Sequence, residues 1–461
     1  MTTKVSAIIL AAGKGTRMAS PLPKVLHPVA GIPMIHKVIH ACLGSGAEDI
    51  RLVVGHQSNL VKNVANVLPI NCYEQAKPLG TADAVKAAQI DTIDGLVLII
   101  NGDHPLIQAE NLKKLINDFQ ESKADIAVVT SVVKHPGSLG RIVRHHGELV
   151  AIVEAKDASS DTLKIHEVNS GLYIIKSEAL QDILPQVKNN NVQQEFYLTD
   201  IITIGKEQGY KVKALKASPI IAFGVNTQEE LSRANRTIFR RKAKKLMESG
   251  VVIIDPRSTY IEEDVEVGPG SVIYPGAYIR GKTKIGAFCV LEPNTFIIDC
   301  QLGDSVEVRA GSYLEKSKVH NKASIGPYAR LRPETELGEE AHIGNFVELK
   351  KVKFGKGSKA GHLTYLGDAD IGENVNIGCG TITCNYAVDR KKYKTKIGDN
   401  VFIGSDVQLV APVDVGEGAI VAAGSTVTED VPAKALAIAR TRQVNKIKFA
   451  EKFLVSEEEE G

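Results

Sequence analysis

The sequence predicts an α/β domain with a mainly parallel sheet in its first half and a parallel β solenoid of hexapeptide repeats in its second. Three observations carry that reading. Up to about residue 225, short β-branched runs alternate with helical stretches. A charged helical segment follows, and from Ile261 to Val427 aliphatic residues recur every six positions, a period that only a solenoid sustains over such a length.

In the first half, strands are expected at Val5 to Leu10, Ile50 to Val54, Leu96 to Ile100 and Ile126 to Val129, with helices at Ile35 to Leu43 and Asn111 to Phe119. After Asn226 the run from Thr227 to Glu230 has capping-box spacing, and the helix it opens should carry Leu231, Ile238 and Leu246 to a stop at Gly250. The expected domains are residues 1–226, a linker helix at 227–250, and residues 251–461. The linker's cluster of Arg240, Arg241, Lys242, Lys244 and Lys245 reads as a solvated face.

The repeat opens with Ile261, Val267, Ile273, Ile279, Ile285, Leu291 and Ile297, and five-residue slips restart it at Leu302, Val319, Phe354 and Ile371. Each six-residue side should be a short strand plus a turn, its aliphatic residue pointing into a prism, with a small residue (Gly286, Gly344, Gly404, Gly416) at the tight following position. Three such sides make a coil of eighteen residues, and coils stack at the ~4.8 Å interstrand distance. The linker helix is suited to cap the first coil. A β-sandwich, with its period of two, does not generate this recurrence. Between Ile377 and Ile397 the rhythm breaks in a polar, basic stretch, which predicts a loop leaving the prism wall and a site on that face. The final Glu457 to Gly461 should be a solvated acidic tail.

The chain has 461 residues, with 56 basic and 54 acidic side chains and a net charge of +2. That balance predicts no global attraction to nucleic acid or membrane. No apolar run reaches the ~18 residues that span a bilayer. The glycine loop follows the N-terminus too closely for a signal peptide, so a cytoplasmic protein is expected. Six cysteines without CxxC spacing read as small buried hydrophobes, with Cys379 and Cys384 of interest for their position beside the repeat break.

The first strand runs into Ala11-Ala12-Gly13-Lys14-Gly15-Thr16-Arg17-Met18, and Pro23-Lys24 follows. Glycines let backbone amides approach phosphate oxygens, and Lys14, Arg17 and Lys24 can offset triphosphate charge. The loop is not a Walker A motif, because no Gly-Lys-Ser/Thr follows at the required spacing, and Met18 stands where a dinucleotide fingerprint needs Gly or Ala. Asp103 ends an apolar strand, where open α/β sheets bind ligands. With Gln75, Gly80-Thr81 and Asn101-Gly102-Asp103 in order behind it, the string from Leu10 to Lys24 resembles the signature of sugar-1-phosphate nucleotidyltransferases. The resemblance implies a Rossmann-like nucleotidyltransferase domain. It places Leu10, Ala11, Ala12, Gly13, Gln75, Gly80 and Thr81 at the nucleotide and Arg17 and Lys24 at its phosphates. Asn101 and Gly102 fall in the same site, and Gly140, Glu154 and Asn169 at the sugar. Asp103 and Asn226 become a Mg²⁺ pair, whose hard oxygens suit that ion.

In the second half, the segments 330–338, 342–351, 361–372, 376–386 and 404–413 extend the resemblance to nearly the whole chain. It is similar to the family of bifunctional UDP-N-acetylglucosamine pyrophosphorylases and glucosamine-1-phosphate N-acetyltransferases. That family implies a left-handed β-helix, against the usual crossover rule, and a homotrimer with sites between subunits. It implies His362 as the general base. Glu348, fourteen positions earlier, is the carboxylate expected to fix the imidazole tautomer. Arg332 and Lys350 would hold the sugar phosphate, Tyr365, Asn376, Asn385 and Tyr386 the amino sugar, and Cys379, Ser405, Ala423 and Arg440 the acetyl-CoA groove. The implied substrates are acetyl-CoA, glucosamine 1-phosphate, N-acetylglucosamine 1-phosphate and UTP. The sequence departs from the family pattern at Asn101, His104 and Cys379 and in the residues after Tyr386. A scaffolding role for the solenoid is the competing expectation, and His362, Lys350 and the loop at 383–396 speak against it.

Overall fold

A computed structural model describes residues 4–453 of the chain; the expected acidic tail lies outside the described residues. The chain divides into two compact units, one up to Arg240 and one from Arg241 on.

The first unit is built on a twisted sheet whose central order is Val212–Lys216, Ile126–Val132, Glu167–Lys176, Leu96–Asn101, Val5–Ala11, Asp49–Val54 and Asn71–Glu74. Neighbours are parallel except Glu167–Lys176, which runs antiparallel to both flanking strands. The hairpin Arg141–His145 and Glu148–Val153 reverses the chain before that strand, with one helical turn, Ser160–Leu163, between them, so it enters from the opposite end. The four expected strands and both expected helices, Met34–Gly44 and Ala109–Ser122, form with boundaries shifted by one to three residues. Alternate residues of the central strands are buried on opposite faces, Ile9, Leu52 and Leu98 with helix residues Ile35 and Phe119, and Ile8, Val53 and Val97 with Val85 and Leu180. Burial on both faces is why these strands read as continuous apolar runs. Leu10 pairs with Asn101 in the parallel register, so the glycine loop and the Gly102-Asp103 turn leave the sheet side by side.

The helix Gln228–Glu248 opens with the expected reciprocal cap. The Glu230 amide donates to Thr227 Oγ1 (3.2 Å), and the Thr227 amide donates to Glu230 Oε2 (3.1 Å). The same carboxylate accepts from the Asn226 amide (2.7 Å), which fixes the backbone of that candidate ligand.

The second unit is a left-handed parallel β-helix. Each side pairs in parallel with the side one coil on, eighteen residues away as in Tyr260 with Tyr278, or seventeen where a slip intervenes, as in Phe296 with Tyr313. The six-residue recurrence becomes a buried aliphatic column through the prism, and Ala243 and Leu246 of the helix join it at the first coil. Val267, in that first coil, is only half-buried, because the column has just one neighbour there. The tight following positions behave as the pattern requires: a Cβ at Gly344 would lie 1.9 Å from the Gly361 carbonyl oxygen. Leu331 sits fully buried in the column, so Leu331→Ala should cost about 2–5 kcal/mol and lower the unfolding midpoint in a denaturant titration.

The break in the repeat is shorter than the sequence suggests. Thr383 takes the inward place of an aliphatic residue, in register with Leu409 and buried, so the strand Ile382–Cys384 continues the coil. Its hydroxyl accepts from the Gly367 amide (2.7 Å) and donates to the Gly367 carbonyl (3.0 Å), which removes the penalty of burying it. The excursion proper begins at Asn385 and closes by an antiparallel bridge between Tyr386 and Lys392. Across it the pairing interval grows to 26 residues, Asp370 with Lys396.

Candidate functional site

In the first unit a cavity of about 310 Å³ opens at the carboxyl ends of the central strands. Leu10, Ala11, Ala12, Gly13, Lys24, Gln75, Gly80, Thr81, Asn101 and Asp103 line it. An adjoining cavity of about 170 Å³ shares Leu10, Thr81 and Asn101 and adds Gly140, Glu154 and Asn169. The structure therefore gathers the residues assigned to nucleotide and to sugar into two contiguous chambers. Gly102 stands behind them, its amide bonded to the Leu10 carbonyl (2.8 Å).

Gln75 donates to the Gly80 carbonyl (3.0 Å) and to Asp83 Oδ2 (2.7 Å), which leaves its own amide oxygen for a ligand. Thr81 Oγ1 accepts from the Leu198 amide (2.9 Å). Gly15 has φ +61°, and a Cβ there would meet Lys24 Cβ at 2.7 Å, so only glycine lets the loop close over the lysine stem.

Four charged or amide side chains meet beside the glycine loop. Lys24 Nζ bonds the Asp103 carboxylate and donates to Asn226 Oδ1 (3.0 Å), and Arg17 donates to the same amide oxygen (2.9 Å). Burial alone would push the Asp103 carboxyl up, but Lys24, with His104 in support, outweighs it and holds the acid below its ordinary range. Asp103 Oδ1 is buried without a hydrogen-bond partner. An orphaned carboxylate oxygen beside an amide oxygen is a donor set that fits Mg²⁺.

In the adjoining cavity, burial and then the charge of Asp157 push the Glu154 carboxyl above its usual range. Asn169 Nδ2 donates to Tyr173 Oη (2.8 Å), and its Oδ1 accepts from the Gly171 amide (2.9 Å). Asn101 packs against Gly171, where a Cβ would fall 2.3 Å from Asn101 Nδ2.

On the β-helix, His362 ends the strand Lys359–His362 at a corner of the prism. Its Nδ1 bonds Asn345 Oδ1 (2.7 Å), the in-register residue of the preceding coil. The expected partner, Glu348, is elsewhere: it pairs in register with Tyr365, and its carboxylate accepts from Arg332 Nη1 (2.9 Å). Coil length is the reason: at this level the neighbouring rung lies seventeen residues back and not fourteen. An amide oxygen only accepts, so this bond requires the proton on Nδ1, and in the neutral imidazole it leaves the Nε2 lone pair free.

Lys350 pairs with Gly367, over which Tyr365 and Asn385 converge: a Cβ at Gly367 would fall 2.5 Å from Tyr365 Oη and 2.7 Å from Asn385 Nδ2. Asn385 is itself anchored by donating to Asp368. Lys392 of the projecting loop, not singled out by the sequence, lies beside Lys350 and together with Arg332 lowers the Lys350 pKa. The three cations make a patch suited to phosphate. Its signal was the run of basic residues in the loop, which periodicity could not position. Asn376 is not part of this patch; it stands on another wall, in register with Lys359 and Phe402. Tyr386 is 61% exposed on the loop.

The remaining residues follow one edge of the prism. The Asp406 amide donates to the Cys379 carbonyl (2.7 Å) and the Gly424 amide to the Ser405 carbonyl (2.8 Å). Gly404 abuts the Ala423 amide, and a Cβ at Gly424 would lie 3.4 Å from Arg440 Cδ. Asn345, His362, Cys379, Ser405 and Ala423 are thus successive rungs of one edge, a groove that starts at the histidine. All six cysteines are free; Cys42, Cys289 and Cys300 are buried, and burial pushes the Cys42 thiol up to about 12.

Comparison with known proteins covers both units. Residues 7–181 match the MobA-like NTP transferase domain, and residues 394–429 match the bacterial transferase hexapeptide, six repeats. A bifunctional protein GlmU of Bdellovibrio bacteriovorus is 60% identical over 456 residues, covering 99% of this chain and all of that one. Those of Pelobacter propionicus and of a Geobacillus species are 48% and 46% identical, covering 96% and 97% of this chain and 97% and 98% of theirs. With both catalytic modules matched and relatives aligned from end to end, the chain belongs to the family of bifunctional GlmU proteins.

Proposed function

We propose that the two sites divide between them the two steps by which this bifunctional enzyme makes UDP-N-acetylglucosamine. The observation that carries the assignment is the separation of two residue sets on two units, the cluster of Lys24, Asp103 and Asn226 and the His362–Asn345 rung. We take residues 1–226 and 251–461 as the functional domains, with 227–250 between them.

In the β-helix, the amine of glucosamine 1-phosphate attacks the thioester carbonyl of acetyl-CoA. His362 Nε2 accepts the amine proton, the C–S bond breaks, and coenzyme A leaves. Asn345 holds the tautomer that makes this possible. Arg332, Lys350 and Lys392 hold the phosphate, Tyr365, Asn385 and Tyr386 the sugar, and Cys379, Ser405, Ala423 and Arg440 the coenzyme A chain; Asn376, on another wall, reaches the sugar only across a subunit interface. In the first unit, a phosphate oxygen of N-acetylglucosamine 1-phosphate attacks the α-phosphorus of UTP in line, and pyrophosphate leaves. Arg17 and Lys24 offset the charge on the departing phosphates. Asp103 and Asn226 would hold Mg²⁺, which supplies further neutralisation of the triphosphate. Gly140, Glu154 and Asn169 hold the sugar, and Ala11, Ala12, Gln75 and Thr81 the uridine.

We further propose a cytoplasmic homotrimer. Tyr328 and Phe346, 59% and 57% exposed, stack at 5.8 Å one residue from the Asn345–His362 edge, and Leu363 continues the strip. A second copy of this chain covering that strip would complete the acetyl site. No helix among the described residues is long and apolar enough to cross a membrane.

The test is to incubate the purified chain with Mg²⁺, UTP, acetyl-CoA and glucosamine 1-phosphate, omit each in turn, and identify products by mass. Omitting UTP should stop at N-acetylglucosamine 1-phosphate. Omitting acetyl-CoA should leave no UDP-N-acetylglucosamine. Product formed without acetyl-CoA would contradict the assignment.

A further inference from the structure

The Lys24 ammonium stands where a cation would stand. It bridges the Asp103 carboxylate and the Asn226 amide oxygen, with side-chain exposures of 16% for the lysine and 13% for the aspartate. Asn226 Oδ1 accepts from both Lys24 (3.0 Å) and Arg17 (2.9 Å), so both of its lone pairs are used. Asp103 Oδ2 is taken by Lys24, and Oδ1 makes no hydrogen bond, with His104 Nε2 3.5 Å away. A divalent ion held by both residues therefore needs at least one cationic side chain to let go. Lys24 also lines the nucleotide cavity, and its stem packs against Gly15 of the phosphate loop, so a released ammonium is already at the triphosphate.

We propose that Lys24 is an internal counter-cation of the Asp103–Asn226 pair, displaced when the metal binds, so that metal and nucleotide bind together and not metal first. This rests on the reading of Asp103 and Asn226 as metal ligands. The ammonium and a divalent ion compete for the same oxygens and repel each other at contact distance. The nucleotide phosphates offer the ammonium a new partner, and by linkage each ligand then tightens the other.

The experiment is a Mn²⁺ titration of the full-length, nucleotide-free protein, followed by electron paramagnetic resonance of the free ion, with no sugar phosphate present. Lys24→Met and, as a second neutral replacement, Lys24→Gln should bind Mn²⁺ at least about tenfold tighter than wild type. Lys24→Arg, which keeps the charge, should stay within about threefold of wild type. Circular dichroism verifies the fold of each variant. Neutral variants that bind Mn²⁺ no tighter than wild type overturn the proposal, as does an equal tightening in Lys24→Arg. Asp103→Asn separates this from the underlying reading. If that change leaves Mn²⁺ binding with UTP present unaltered, Asp103 is no ligand and the metal-site assignment itself fails. If binding depends on Asp103 yet ignores Lys24, only the counter-cation proposal falls.

Discussion

Asp103→Ala should abolish Mg²⁺-dependent uridylyl transfer and leave acetyl transfer near wild type. The substitution removes the carboxylate whose Oδ1 makes no hydrogen bond and whose Oδ2 anchors Lys24. On the proposed assignment two consequences act together: the metal loses a hard ligand, and the lysine loses its carboxylate contact. The triphosphate charge is left poorly neutralised in a reaction that depends on neutralisation. Acetyl transfer belongs to the other unit, with its own core, so it has no reason to fall. Separate assays with N-acetylglucosamine 1-phosphate plus UTP, and with glucosamine 1-phosphate plus acetyl-CoA, read the two effects. An equal loss of both activities would show that the residue serves folding and not the phosphate site.

His362→Ala should lower acetyl transfer by about 10²–10⁴ and leave uridylyl transfer intact. The imidazole is exposed at its corner, so its removal opens no cavity and should hardly move the melting temperature. The deficit should shrink as pH rises, since an amine that is already free needs less help from a base. Asn345→Ala should show a smaller loss of the same kind, because the imidazole would then be free to adopt the tautomer that blocks Nε2. Wild-type acetylation by His362→Ala at pH 7 would remove the histidine from the chemistry.

The sequence made the architecture legible where side chains are packed on a regular period. The buried strands around Leu52 and Leu98 and the column from Ile261 to Val427 could be placed to within a few residues, because burial dictates an apolar residue at each inward position. It failed at Thr383, where a hydroxyl satisfied by the Gly367 backbone substitutes for a methyl group, so the periodic signal vanished although the coil continued. It also gave no sign that Glu167–Lys176 runs antiparallel, since a strand buried on both faces reads alike in either direction. At the sites, motif resemblance placed the residues around the glycine loop, and the structure brings them into adjoining chambers. The partner of His362 was missed because proximity across coils is set by a seventeen-residue offset, which selects Asn345 and not Glu348. Counting back one coil would have found it. Lys392 escaped because its place depends on the fold of a loop with no period.

One chain is expected to house two independent chemistries that act in sequence. Mixing the Asp103→Ala and His362→Ala proteins separates them, with glucosamine 1-phosphate, acetyl-CoA, UTP and Mg²⁺ supplied and UDP-N-acetylglucosamine read by mass. Neither variant alone should form the product at more than a small fraction of the wild-type rate. The mixture should form it readily, because the first acetylates and the second uridylylates the released intermediate. A mixture as inactive as its components, although both proteins are folded, would contradict the account.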